Sequence, residues 1–272
     1  MNFNVKNPIF MSASPFTDGL DNIKMCFSWG IGGVFTKTIW IGEKRRTGRE
    51  YIYISDSNIY NSTTYSKYNE ELWLHWLAIL YKQAEYFVIP NIWGNDMQNV
   101  FDYVVRLEKI GVKIIELGIS CPNDIETTSD EQIMWLISKI ITYTKVKISV
   151  KLVADSDIIK RIAYFVSCGV NIFTISDSFP ACYVNRDKIF NVGYSGKGIK
   201  AIVLRKILDV KAEFPDITIC GVGGIQSYQD IKDYFMVGAD YIQLCSVAYT
   251  KGGVGIKKIV QDYIEGNKYN SS

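Results

Sequence analysis

Short, nearly continuous apolar runs take turns along the chain with longer segments in which apolar residues recur every three or four positions. The first pattern predicts strands buried on both faces, and the second predicts amphipathic helices. Strands are expected at 7–14, 32–37, 86–94, 112–119, 146–153, 169–178, 216–225 and 239–246. Helices are expected near 20–30, 70–85, 96–110, 129–144, 156–168, 200–213 and 227–237, with a last one ending before Asn267. In the helix at 70–85, Trp73, Trp76, Leu77 and Leu80 share one face and are assigned to the core. Strict alternation points to an α/β protein with a parallel sheet, and eight such units predict closure as a single (β/α)8 TIM barrel.

Two stretches break the rhythm. Residues 38–69 and 178–199, after strands two and six, show no clean periodicity and predict long inserted loops over the barrel mouth. No shift in composition marks a second domain, so 1–272 reads as one unit.

Composition narrows the partners. At 272 residues and 48% hydrophobic, the chain matches one barrel without leftovers. A formal net charge of +2 gives no nucleic-acid footprint, and Arg45, Arg46 and Arg49 read as anchors of the first loop or as solvated side chains. No apolar run approaches the length of a membrane span and the N-terminus lacks a secretory pattern, so a cytoplasmic protein with no membrane partner is expected. Six scattered cysteines with no CxxC, and a single histidine, argue against a metal site. That histidine, His75, falls in a helical segment and reads as a packing or surface residue.

Candidate chemistry gathers at the strand ends. The run VKIIELGISCPN closes a strand at Gly118 and sets Cys121 between serine and proline. Loops after the carboxyl ends of barrel strands build active sites, and a thiol there serves as general base or nucleophile when its pKa is tuned. In CGVGGIQSYQD, Gly223 and Gly224 follow a strand and precede a helix with Ser227 at its N-cap, which suits a phosphate. One strand later Ser246 offers a second turn of the same kind. Lys37 and Lys151 end apolar strands, where an ammonium needs an anion or a polar pocket; for Lys151 an ion pair with Glu116 is the alternative. A phosphate-bearing cofactor, buried lysines and a loop thiol together suggest redox chemistry on a flavin, with Lys151 stabilising charge on the reduced ring.

The ordered set MSAS, FTKT, ELGISCPN, SVKL, GYSGKGIK, CGVGGI and IQLCSVA resembles the catalytic domain of dihydroorotate dehydrogenases and related FMN enzymes, from about Asn7 to Val254. The resemblance implies FMN contacts at Ala13, Ser14, Lys37, Asn61, Lys151, Gly196, Gly223, Gly224, Cys245 and Ser246. It implies Cys121 as the base that takes a substrate proton while hydride passes to flavin N5, with Lys37 beside it. A cysteine there is similar to the soluble class 1 enzymes, and a homodimer is implied. Asn61, Asn123, Ser176 and Asp177 fall where a small-molecule substrate is expected. The electron acceptor is open among fumarate, NAD through a partner subunit, a quinone and oxygen.

The sequence departs from that family at the pyrimidine end. Gly118 stands where the family has asparagine, Ser176 and Asp177 replace an asparagine-containing pair, and the loop after Asn61 continues as STTYSK. A carboxylate facing an anionic substrate opposes its binding. A relative acting on a different carbon–carbon bond, with a neutral or cationic ligand, is therefore at least as compatible, while dihydroorotate oxidation is the single named activity that the resemblance favours. The alternatives are a uridine reductase of the transfer-RNA dihydrouridine synthase kind, and a flavin-binding barrel without catalysis.

Overall fold

The computed structural model describes residues 3–43, 50–121, 123 and 128–269; Arg45, Arg46 and Arg49 lie outside them. The chain opens with β1 (Ile9–Met11), α1 (Leu20–Phe27), β2 (Gly33–Phe35) and β3 (Ile39–Ile41). A hairpin of β4 (Ile52–Ser55) and β5 (Asn58–Asn61) precedes α2 (Glu70–Leu80), β6 (Val88–Ile89), β7 (Asn91–Gly94) and α3 (Met97–Lys109). Next come β8 (Ile114–Leu117), α4 (Asp130–Tyr143), β9 (Lys147–Leu152), α5 (Ile158–Ser167) and β10 (Ile172–Ile175). A second hairpin, β11 (Phe179–Asn185) and β12 (Lys188–Gly196), leads to α6 (Lys200–Glu213), β13 (Thr218–Val222), α7 (Tyr228–Met236), β14 (Tyr241–Leu244) and α8 (Ser246–Tyr269).

The ten strands of the main sheet pair only in parallel and form eight staves. β2 and β3 are two pieces of one stave, β6 and β7 two pieces of the next, paired piece to piece. Because β14 pairs with β1, the sheet closes into the expected barrel. Pro90 causes one break: it has no N–H to give the ladder, while its carbonyl still accepts from Glu116 N at 2.8 Å. Thr36 repairs the other side, its Oγ1 accepting from Asn91 N at 2.9 Å. The two interrupted staves thus set Lys37 and Asn91 at the mouth.

Strand residues alternate between faces, so each stave feeds the barrel interior every second position. The lowest layer is apolar and aromatic: Phe10, Phe35, Ile89, Ile114, Ile172, Cys220 and Tyr241 pack together with Phe3 as a plug. Two residues further along, the same staves present Ser12, Lys37, Asn91, Glu116, Thr174 and Gln243, all buried. Two more bring Ser14, Gly118, Ser176 and Cys245 to an open cavity. The intervening residues, such as Ile115, Leu117, Phe173 and Ile175, face the helices and join Trp73, Leu77 and Leu80 in the main core. Trp76 packs edge-on against Trp73 from a partly buried position.

The two irregular stretches are not plain loops. Their hairpins pair with each other in an antiparallel sheet ordered β11-β12-β5-β4. Asp56 and Ser57 both have positive φ, the two-residue turn whose twist suits a hairpin. That turn holds neither glycine nor asparagine, which hides it in the sequence. On one face Tyr53, Tyr60, Tyr183, Phe190 and Tyr194 make ring contacts. The other face brings Ile59, Asn61 and Ser195 to the cavity.

Candidate active site

Every residue named from the sequence as a catalytic, cofactor or substrate contact lines one cavity at the carboxyl ends of the staves. The exposed His75 stands outside it, on α2. No cluster of His, Cys, Asp or Glu fit to hold a metal ion occurs among the described residues.

Cys121 is half-buried in the loop after β8. Burial pushes the Cys26 thiol up to about 12 and also raises that of Cys220. Lys37 is 8% exposed and donates to Thr63 Oγ1 at 3.4 Å. Burial lowers the pKa of Lys37, while Cys121, Glu50 and Asp18 pull in the opposite direction by charge attraction. Lys37 and a Cys121 thiolate therefore stabilise each other.

Lys151 sits across the cavity, 3.4 Å from Asp177 Oδ1. Burial works against its charge, yet Asp177 and Glu116 together carry its pKa above the ordinary lysine value. Below it lies Glu116, fully buried, accepting from Asn91 Nδ2 at 2.6 Å and from the Thr174 hydroxyl. Burial raises its pKa against the opposing pull of Lys151 and those hydrogen bonds. The alternative partner weighed from sequence is thus a neighbour, and Asp177 is the direct one.

The substrate-side residues engage one another. Asn123 Nδ2 donates to Thr63 O at 2.9 Å and Asn61 O at 3.2 Å. Asn61 Nδ2 donates to Gly193 O at 3.2 Å, and Thr63 Oγ1 donates to Asn61 Oδ1 at 3.1 Å. Ser176 Oγ donates to Asp177 O at 2.6 Å and accepts from Ala154 N at 2.9 Å.

At the opposite end, Gly223 and Gly224 have φ of +141° and +69°. A Cβ on Gly224 would stand 2.6 Å from Gly196 O, so the glycine lets the two chain segments close around this corner of the cavity. Ser227 caps α7 by accepting from Asp230 N at 3.2 Å, as its position predicts. Ser246 opens α8, its Oγ accepting from Gln226 Nε2 at 3.2 Å. Gly224→Ala is expected to cost about 1–3 kcal/mol, from left-handed backbone strain and the clash. Urea unfolding checks the stability, and cofactor retention through gel filtration should fall in parallel.

Sequence reasoning missed Ser12, Thr63, Asn91 and Gln243, which also line the cavity. A polar residue two positions beyond an apolar one inside a buried strand was the available signal for Asn91 and Gln243. Gly118 explains the placement of Asn91: a Cβ at 118 would stand 2.6 Å from Asn91 Oδ1.

The family model for dihydroorotate dehydrogenase matches residues 1–265. The chain belongs to the dihydroorotate dehydrogenase family. This makes it a flavin-dependent oxidoreductase. It is 26% identical over 254 residues to the catalytic subunit of dihydroorotate dehydrogenase B (NAD(+)) of Petrotoga mobilis, covering 88% of this chain and 83% of that one. The Thermoplasma volcanium protein of the same name is 28% identical over 260 residues, covering 92% and 85%. A solved dihydroorotate dehydrogenase of Eimeria tenella, in complex with ferulenol, superposes with a TM-score of 0.84 at 13% identity, over 97% of this chain and 82% of that one. At that identity the likeness concerns the fold. Among the described residues no helix is long and apolar enough to cross a membrane.

The residues present fit a flavin nucleotide. Asn91 Oδ1 is a buried acceptor without a partner among the described residues, suited to a ring N–H. Two ammonium groups face the same space, and the glycine corner leaves backbone exposed where a phosphate is expected.

Proposed function

We propose that this chain is an FMN-dependent oxidoreductase acting on a carbon–carbon bond of a small molecule, with Cys121 moving the proton. The observation that carries this is the convergence on one cavity of Cys121, two lysines and the Gly223–Gly224 corner. FMN, when bound, supplies a site that takes or gives hydride. Ala13, Ser14, Lys151, Gly196, Gly223, Gly224, Cys245 and Ser246 would hold it. Cys121 takes a proton from carbon in the oxidative direction and returns it in the reductive one. Lys37 favours the thiolate form by charge, and Lys151 offsets negative charge on the cofactor ring. The same resemblance supports a homodimer, and the sequence's lack of a long apolar run or secretory pattern supports a cytoplasmic location.

The test is an absorption spectrum of the purified protein. A yellow protein with flavin bands that dithionite bleaches, and FMN as the extracted nucleotide, is the expected result. A chain that takes up no FMN even after reconstitution would overturn the proposal. Dihydroorotate, the compound named in its relatives, is the first substrate to add anaerobically.

A further inference from the structure

The polar lining of the cavity is unbalanced in one direction. Asn91 is 1% exposed, spends its Nδ2 on Glu116, and keeps Oδ1 without a partner among the described residues. Asn123 repeats the pattern, giving Nδ2 to two backbone carbonyls and, at 3.4 Å, to Asn61 Oδ1, and leaving its buried Oδ1 without a partner among the described residues. Gln243, fully buried, donates Nε2 to Thr174 Oγ1 at 2.9 Å and keeps Oε1 without a partner among the described residues. The partners dictate these orientations. A carboxylate, backbone carbonyls, and a hydroxyl already committed as donor to Glu116 accept an N–H and cannot supply one. Asp177 adds a carboxylate of the same sense.

Several donors and charges nearby are already engaged, although Ser14 Oγ in the same cavity is buried without a hydrogen-bond partner among the described residues. Asn61 Nδ2 serves Gly193 O, Ser176 Oγ serves Asp177 O, and Lys151 pairs with Asp177. Lys37 faces Thr63 and feels the charges of Glu50 and Asp18. A carboxylate substrate would bring only acceptors to a lining already rich in them, and would have to compete with Asp177 for Lys151. An oxidised flavin ring carries one N–H, so it meets at most one of the three amide acceptors.

We infer that the small molecule processed here is uncharged, presents N–H or O–H donors to Asn123 and Asp177, and that Asp177 excludes carboxylate substrates. The inference rests on the flavin reading for its chemistry, and on the lining alone for its charge.

Uracil and orotate share a ring with two N–H donors and differ by one carboxylate, so together they isolate the charge. Titrated anaerobically into FMN-loaded protein, uracil is expected to perturb the flavin bands at concentrations at least about tenfold below those that orotate needs. Asp177→Asn keeps the size and removes the charge, freeing Lys151, and is expected to shift the ratio towards orotate by about tenfold or more. Asp177→Ser provides the same reading if the amide variant misfolds. Equal or tighter binding of orotate by the parent protein would overturn the inference. So would a ratio that both variants leave unchanged, or a flavin-loaded protein that responds to neither compound. A chain that takes up no flavin refutes the cofactor assignment instead; equilibrium dialysis with labelled uracil and orotate then reads the same ratio.

Discussion

Replacing Cys121 by serine is expected to lower turnover at least about 10²-fold while flavin retention stays unchanged. Serine preserves the shape of the side chain, but its hydroxyl is a far weaker acid, so almost none is present as the base. The base is the thiolate, so turnover in the proton-abstracting direction should rise with pH as the thiol ionises. Lys37 sets the opposite limb. Burial lowers its pKa, so its ammonium is lost at a pH below the usual 10.5, and support for the thiolate declines from there upward. The variant should lose the thiol limb and gain rate only at strongly alkaline pH. Cys182→Ser, on the exposed surface of β11, is the matched control and should leave turnover unaltered. Unchanged turnover in the Cys121 variant would take this residue out of the chemistry and assign the proton to another group of the cavity.

The barrel was legible because burial on both faces writes itself into strands as continuous apolar runs. Ile114, Ile115 and Leu117 announce such a strand, and its exit at Gly118 and Cys121 announces a site. What stayed hidden depends on contacts between distant segments. The sheet formed by the two hairpins needs Tyr60 opposite Tyr194, 134 positions later, and neither segment alone buries enough to declare itself. Asn91 was missed because its role depends on a vacancy at Gly118 of the neighbouring stave. Asp177 could be flagged as an unusual charge from sequence. That Lys151 pairs with Asp177 rather than with Glu116 follows only from the geometry of adjacent staves.

The second large effect is expected at Glu116, which touches no proposed ligand. Glu116→Ala should destabilise the protein by about 3–5 kcal/mol, the range for removing one partner from a buried charged network. The loss has several sources: Lys151 keeps Asp177 but loses the charge beneath it, and Asn91 Nδ2 and the Thr174 hydroxyl lose their acceptor. Each group left buried and unpaired costs about 1–3 kcal/mol. Urea unfolding with an unchanged denaturant dependence would read this cleanly. Glu116→Gln keeps the volume and one acceptor, and because burial already disfavours the ionised form, it should cost less than half as much. Its amide can also donate to Asn91 Oδ1, which would let the Asn91 side chain turn and show the cavity an N–H where it now shows an oxygen. In that variant the preference for donor-bearing ligands should weaken although Asp177 is untouched. A cost below about 1 kcal/mol for the alanine variant would mean that water or rearranged neighbours satisfy the barrel interior, and Glu116 would then not be what fixes the polarity of the site.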